Sequence, residues 1–195
     1  MVLITELTGT DNSARETKIQ YFFDTLNSHA FYLASREVLA LFSTNRTTGL
    51  VVYFGDSVAS VIPVNEGCAV KDAVSSIEVA GGEITDAAGL EGSGVAQAVQ
   101  NSISGCDVNI KKDLFKNIVL VGNVSSSAMS GFMEEELRKA AQANQKLSVE
   151  VPQDPQNAAW RGGSILGEQS SFRNSWVTKA ACDEQGAAIV HKKCL

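Results

Sequence analysis

Two apolar runs, Gly49-Leu50-Val51-Val52-Tyr53-Phe54 and Val58-Ala59-Ser60-Val61-Ile62-Pro63-Val64, flank the turn-forming triplet Gly55-Asp56-Ser57. β-branched and aromatic segments joined across so short a loop read as a β-hairpin. Around it the chain alternates strand-sized and helix-sized patterns, which is the mark of a mixed α/β fold. Val2 to Leu7, Ala30 to Leu33, Ser75 to Ala80, Asn117 to Val121 and Leu147 to Val151 read as strands. Helical periodicity runs from Ser13 to Leu26, with Asp11 or Asn12 as cap and Ile19, Phe22, Phe23 and Leu26 as the apolar stripe. Further helices are expected over Arg36 to Phe42, ending at a left-handed Asn45, over Val95 to Ile103, and over Met129 to Asn144, with Met133, Leu137 and Ala141 on one face. Gly81-Gly82 breaks the chain before a short helical stretch at Ile84 to Leu90. Glu91-Gly92-Ser93-Gly94 reads as a flexible junction, Gly122 to Ser127 as a polar loop, and Ala158 to Leu195 as short helices and turns.

With 195 residues, 44% hydrophobic and 19% charged, the chain can bury a real core as one domain or two small lobes. A net charge of -6 argues against broad binding to a nucleic-acid backbone, since no basic excess exists to displace counterions. Apolar runs such as Ile118 to Val121 are strand-sized and fall far short of the roughly 20 residues a membrane span requires. The segment from Met1 to Glu6 has neither the basic nor the long apolar region of a secretory leader. Cys68, Cys106, Cys182 and Cys194 are widely spaced, with no C-x-x-C pair, and His29 and His191 are the sole histidines. Reduced thiols in a cytosolic or nuclear compartment are therefore expected, with no metal centre. Neither histidine stands in a nucleophile context and no G-x-S-x-G elbow occurs, so no catalytic residue is assigned.

Five blocks in order carry a family resemblance. Arg46-Thr47-Thr48-Gly49 resembles the RTTG of actins, Val61 to Gly67 resembles VPIYEG, and Cys106 to Phe115 resembles CDVDIRKDLY. Trp160 to Leu166 is similar to WIGGSIL, and Ile189 to Leu195 to IVHRKCF. The chain is thus identified as a shortened, divergent member of the actin family. The resemblance implies a partial actin-like, ribonuclease H-like α/β fold: two lower lobes with small mixed sheets flanked by helices. Residues 1–43 with 158–195 would form an incomplete lobe like actin subdomain 1, and 44–157 one like subdomain 3, with an upper-lobe deletion near 91–94. Val2 to Glu6 resembles VLLTEA, which lies well inside a normal actin, so the first phosphate hairpin and both upper lobes are expected to be missing. Such truncation would leave Val2 to Leu7 and Ala30 to Leu33 as sheet remnants with unpaired edges and uncovered side chains.

Actin-type hydrolysis clamps a nucleotide between two phosphate hairpins, with carboxylates organising magnesium and water. The resemblance matches the family's DSGDG to Tyr53-Phe54-Gly55-Asp56-Ser57, leaving Gly55, Asp56 and Ser57 as a vestigial phosphate hairpin behind two bulky rings. Arg36 takes the place of the family's water-orienting glutamine, and Gly122-Asn123 that of its adenosine-contacting GG. Neither ATP nor magnesium is expected to bind, and no ATPase activity is expected. The family's partner-binding cleft maps onto Phe42, Ser43, Thr47, Gly67, Cys68, Leu166, Gln169, Ser171 and Ser175. Gln169 and Ser175 stand where the family has leucine and methionine, and Cys68 where it has tyrosine, so the groove is altered. The resemblance points to a non-catalytic structural subunit that binds protein partners in a cytoskeletal assembly, with an axonemal or dynein-associated setting as one candidate. Filament growth, nucleic acid and membrane are not expected. The alternatives are an actin-related subunit of a nuclear chromatin-remodelling complex and a residual ATP-binding actin.

Overall fold

The computed structural model describes residues 1–78, 92–122, 127–140 and 146–194. The predicted Gly81-Gly82 turn, the stretch from Ile84 to Leu90, Asn123 and the end of the helix beyond Ala140 lie outside them.

The first sheet has β2 (Ala30–Ser35) at its centre, parallel to β1 (Val2–Glu6) and antiparallel to β9 (Val177–Thr178). All six residues of β2 are buried, which corrects the expectation that Ala30 to Leu33 is an uncovered remnant. Helix α1 (Asn12–Asp24) connects β1 to β2 and is capped by Asp11, whose side chain accepts from the Ser13 amide. Ile19 and Phe23 of its stripe are buried against Phe31 and Leu33. Leu26 is 51% exposed because α1 has already ended before it. Phe172 and, from α8 (Ile189–Lys193), Val190 complete this core.

The second sheet is built on the hairpin. β3 (Gly49–Phe54) pairs antiparallel with β4 (Val58–Asn65) and parallel with β7 (Ile118–Gly122), which is flanked by β8 (Val149–Glu150). β5 (Cys68–Ala69) and β6 (Ser75–Glu78) share the other edge of β4. Strand side chains alternate between faces. Leu50, Val52 and Phe54 face α3 (Gly92–Ser104), α4 (Val108–Lys116) and α5 (Ser127–Ala140), where Val99, Leu114, Met133 and Leu137 close the core. On the opposite side Val51, Ile62, Val64, Val119 and Val121 meet Val38 and Leu41 of α2 (Arg36–Phe42) and Ala158 of α6 (Ala158–Glu168). A central strand covered on both faces explains the near-continuous apolar run of β3. Helix α7 (Lys179–Gln185) follows β9.

Two expectations change. Gly92, Ser93 and Gly94 open α3 rather than forming a flexible junction, since packing of Val95 and Val99 outweighs the poor helix propensity of glycine. Helix α4 was not expected at all: it is nine residues long with Leu114 as its one fully buried anchor, too little for a visible periodicity.

Helices α2 and α6 cross so closely that a Cβ on Gly162 would stand 1.7 Å from the Leu39 carbonyl oxygen. Glycine there is what lets the segment after β2 and the segment before β9 meet beneath the larger sheet.

Candidate functional site

At the end of β3 the pleat sends Tyr53 and Phe54 to opposite faces. Phe54 is 3% exposed and belongs to the core under α3 and α5. Of the two rings expected to obstruct the phosphate hairpin, Tyr53 lines a cavity of about 690 Å³ and Phe54 does not line it. The hairpin itself is closed by the Gly55 amide donating to the Val58 carbonyl at 3.0 Å, with Asp56 and Ser57 exposed at its tip. Beside it Gly122 adopts φ +89, and a Cβ there would lie 2.2 Å from the Phe54 carbonyl oxygen. The glycine is therefore needed for strand pairing whatever else it touches.

Arg36, the first residue of α2, reaches over the Tyr53 ring, its guanidinium carbon 3.6 Å from the centroid. Its Nε donates to Glu37 Oε1 at 2.7 Å. Glu37 is buried at 2% exposure, and its other oxygen accepts from Ser35 Oγ at 2.8 Å and Thr8 Oγ1 at 2.9 Å. A buried carboxylate so fully bonded is a fixed strut that orients Arg36. The remaining wall includes Leu3, Ile4, Ala40, Val121, Asn157 and Ser164, and none of the described lining residues carries a carboxylate. No group of three or more His, Cys, Asp or Glu that could hold a metal occurs among the described residues.

A second cavity of about 290 Å³ gathers most residues assigned to the partner cleft. Phe42 comes from the end of α2, Gly67 from the β4–β5 turn, Cys68 from β5, and Leu166 from α6. Gln169 reaches it from the junction after α6, and Ser171 and Ser175 from the 3₁₀ segment that follows, Ser170–Ser175. Ser43 and Thr47 do not line it. Ser43 Oγ donates to the Ala40 carbonyl at 2.7 Å, and the Thr47 carbonyl accepts from the Gly67 amide at 2.8 Å, which holds the turn in place. Glu66 and Gly67 both have positive φ (51° and 81°), and Asn65 pairs with Cys68 across them. This is a two-residue turn of the type that matches strand twist.

Sequence reading missed the floor of this groove: Tyr32 and Ala34 of β2, Val38 and Leu39 of α2, and Phe172. Tyr32 and Phe172 meet edge-on at 4.7 Å in this floor, and Trp176, which does not line the cavity, packs against both. No local signal marked the floor, because Tyr32 and its neighbours in β2 read as ordinary core residues of a strand. Glu66 is the one charged side chain among the described lining residues.

Compared with known protein families, the chain matches the family described as Actin in two partial stretches, residues 1–91 and 88–195, which together span its length.

Proposed function

The chain belongs to the actin family, and on that premise we propose that it is a non-catalytic structural subunit that binds protein partners within a larger cytoskeletal assembly. The observation that carries this reading is the stack of Arg36 on Tyr53 at 3.6 Å, beside the hairpin where the family resemblance calls for a carboxylate and a water-orienting amide. A guanidinium stays protonated at neutral pH and cannot take a proton from attacking water. Magnesium takes oxygen ligands, commonly one or two carboxylates, and the described cavity wall offers none. These residues do not fit a magnesium nucleotide.

The 290 Å³ groove supports the binding half of the proposal. Its floor is apolar and aromatic, as a surface that accepts an amphipathic segment requires, while Gln169, Ser171 and Ser175 give it a polar rim. No helix among the described residues is long and apolar enough to cross a membrane. An axonemal or dynein-associated assembly is our preferred setting by family analogy alone, with a nuclear remodelling complex as the other.

Titration calorimetry with MgATP tests the first half. The expected result is no saturable heat; micromolar binding would overturn the non-catalytic reading. For the second half, the protein is isolated from its native cells alongside a Leu166→Arg variant. Partners retained by the parent and lost by the variant are expected, whereas a free monomer in both preparations sinks the proposal.

A further inference from the structure

β1 ends its sheet. It pairs with β2 along one side, and no strand pairs with its other side among the described residues. Unpaired N–H and C=O groups along a strand edge are a template for another extended chain. Leu3, Ile4 and Thr5 of this strand form part of the wall of the 690 Å³ cavity. Trp160 of α6 stands on the same wall, 73% exposed, as large an unburied aromatic surface as the described residues show. Arg36 is the one charged side chain among the described lining residues.

The charge has a direction. The Nε edge of the Arg36 guanidinium is taken by Glu37 and one flat face by Tyr53. The Nη1/Nη2 fork has no hydrogen-bond partner among the described residues, and that fork matches the two oxygens of a carboxylate. We propose that this edge and cavity take an extended segment of a partner protein, added to β1 as a further strand, with an apolar side chain against Trp160 and an Asp or Glu carboxylate on Arg36. Addition of this kind draws affinity from main-chain hydrogen bonds and selectivity from side-chain pockets, and the pocket here selects an acid. A second copy of this chain is a poor occupant. The acid of its own β1, Glu6, is held by Arg15 at 2.8 Å with both side chains buried, so β1 paired with β1 brings no carboxylate to Arg36. The site differs from the groove at Phe42 and Leu166 and does not depend on that reading.

The test uses the purified chain and blocked eight-residue peptides of alternating Val and Thr with a central Glu, Gln or Lys. Calorimetry should give the Glu peptide about tenfold tighter binding than the Gln peptide, with the Lys peptide weaker than both. A strand added at an edge uses alternate amides of the incoming peptide. N-methylation of one alternating set should therefore abolish binding, while methylation of the other leaves it intact. In a Trp176→Phe background, the emission of Trp160 should shift on binding. Arg36→Gln should erase the preference for Glu over Gln; the methylation series on the parent protein stands even if that variant folds poorly. Equal affinities for Glu and Gln, tolerance of both methylation patterns, or no binding at about 1 mM peptide overturns the proposal. So does concentration-dependent dimerisation that the peptide disrupts, or displacement of the peptide by MgATP.

Discussion

The guanidinium of Arg36 lies 3.6 Å from the centre of the Tyr53 ring, linking the first turn of α2 to the far end of β3. The pair ties the helix leaving the smaller sheet to the central strand of the larger one. A double-mutant cycle with Arg36→Met and Tyr53→Leu should give a coupling of about 1 kcal/mol in urea denaturation. The single Arg36→Met change should cost more than Tyr53→Leu, because it also strips the buried Glu37 carboxylate of its cation. Additive single effects would show the stack to be incidental.

Gly162→Ala should destabilise the protein by on the order of 3 kcal/mol, since the new methyl would enter the Leu39 backbone and force α2 and α6 apart. Gly163→Ala, whose Cβ would meet only Leu3 and Leu39 side-chain carbons at 3.5 and 3.6 Å, should cost far less. Thermal melts of the two variants side by side decide it: equal losses would mean that the helix crossing is not fixed by this contact.

Glu66 occupies a left-handed position, φ 51°, in the two-residue turn between β4 and β5. Asn tolerates that conformation better, so Glu66→Asn should raise stability by about 0.5–1 kcal/mol in chemical denaturation. Gly67→Ala should lower it, because φ there is +81 and a Cβ would crowd Phe42 at 3.2 Å. A loss with Glu66→Asn would mean that the glutamate side chain contributes something the turn geometry does not reveal.

Burial of Cys194 at the end of α8 pushes its thiol from 9.0 up to about 11, only partly countered by the Leu33 amide donating to its Sγ. The unfolded chain releases this proton near 9, while the folded chain holds it to about 11. The protonated thiol therefore contributes fully below the unfolded value, and stability falls as pH rises through that window, by on the order of 2–3 kcal/mol. Urea midpoints of the parent should approach those of Cys194→Ala between about pH 9 and pH 11. Parallel decline of the two proteins would assign the loss to other groups.

The hairpin, the stripe at Ile19 and Phe23, and the Asp11 cap were legible because each depends on residues close in sequence. Helix α4 and the α3 opening were not, since one short helix with a single fully buried anchor and one glycine-rich helix start owe their form to the sheet beneath them. Seven of the nine assigned cleft positions line one groove, yet the floor that makes it a groove, Tyr32, Ala34, Val38 and Leu39 with Phe172, was invisible. Those residues read as core, and whether a core residue also borders a cavity depends on where the neighbouring element stops.

By itself the sequence determined the α/β alternation and the register-setting turn at Gly55. Local periodicity and residue chemistry suffice for these. The tertiary structure alone decided that Tyr53 and Phe54 part company. One ring stacks under Arg36 and the other seals the helical core, because the pleat turns successive side chains to opposite faces and different helices wait on each. It alone also decided that β2 is buried and that β1 stands at the sheet edge among the described residues, since strand order is a matter of long-range pairing that no local pattern encodes.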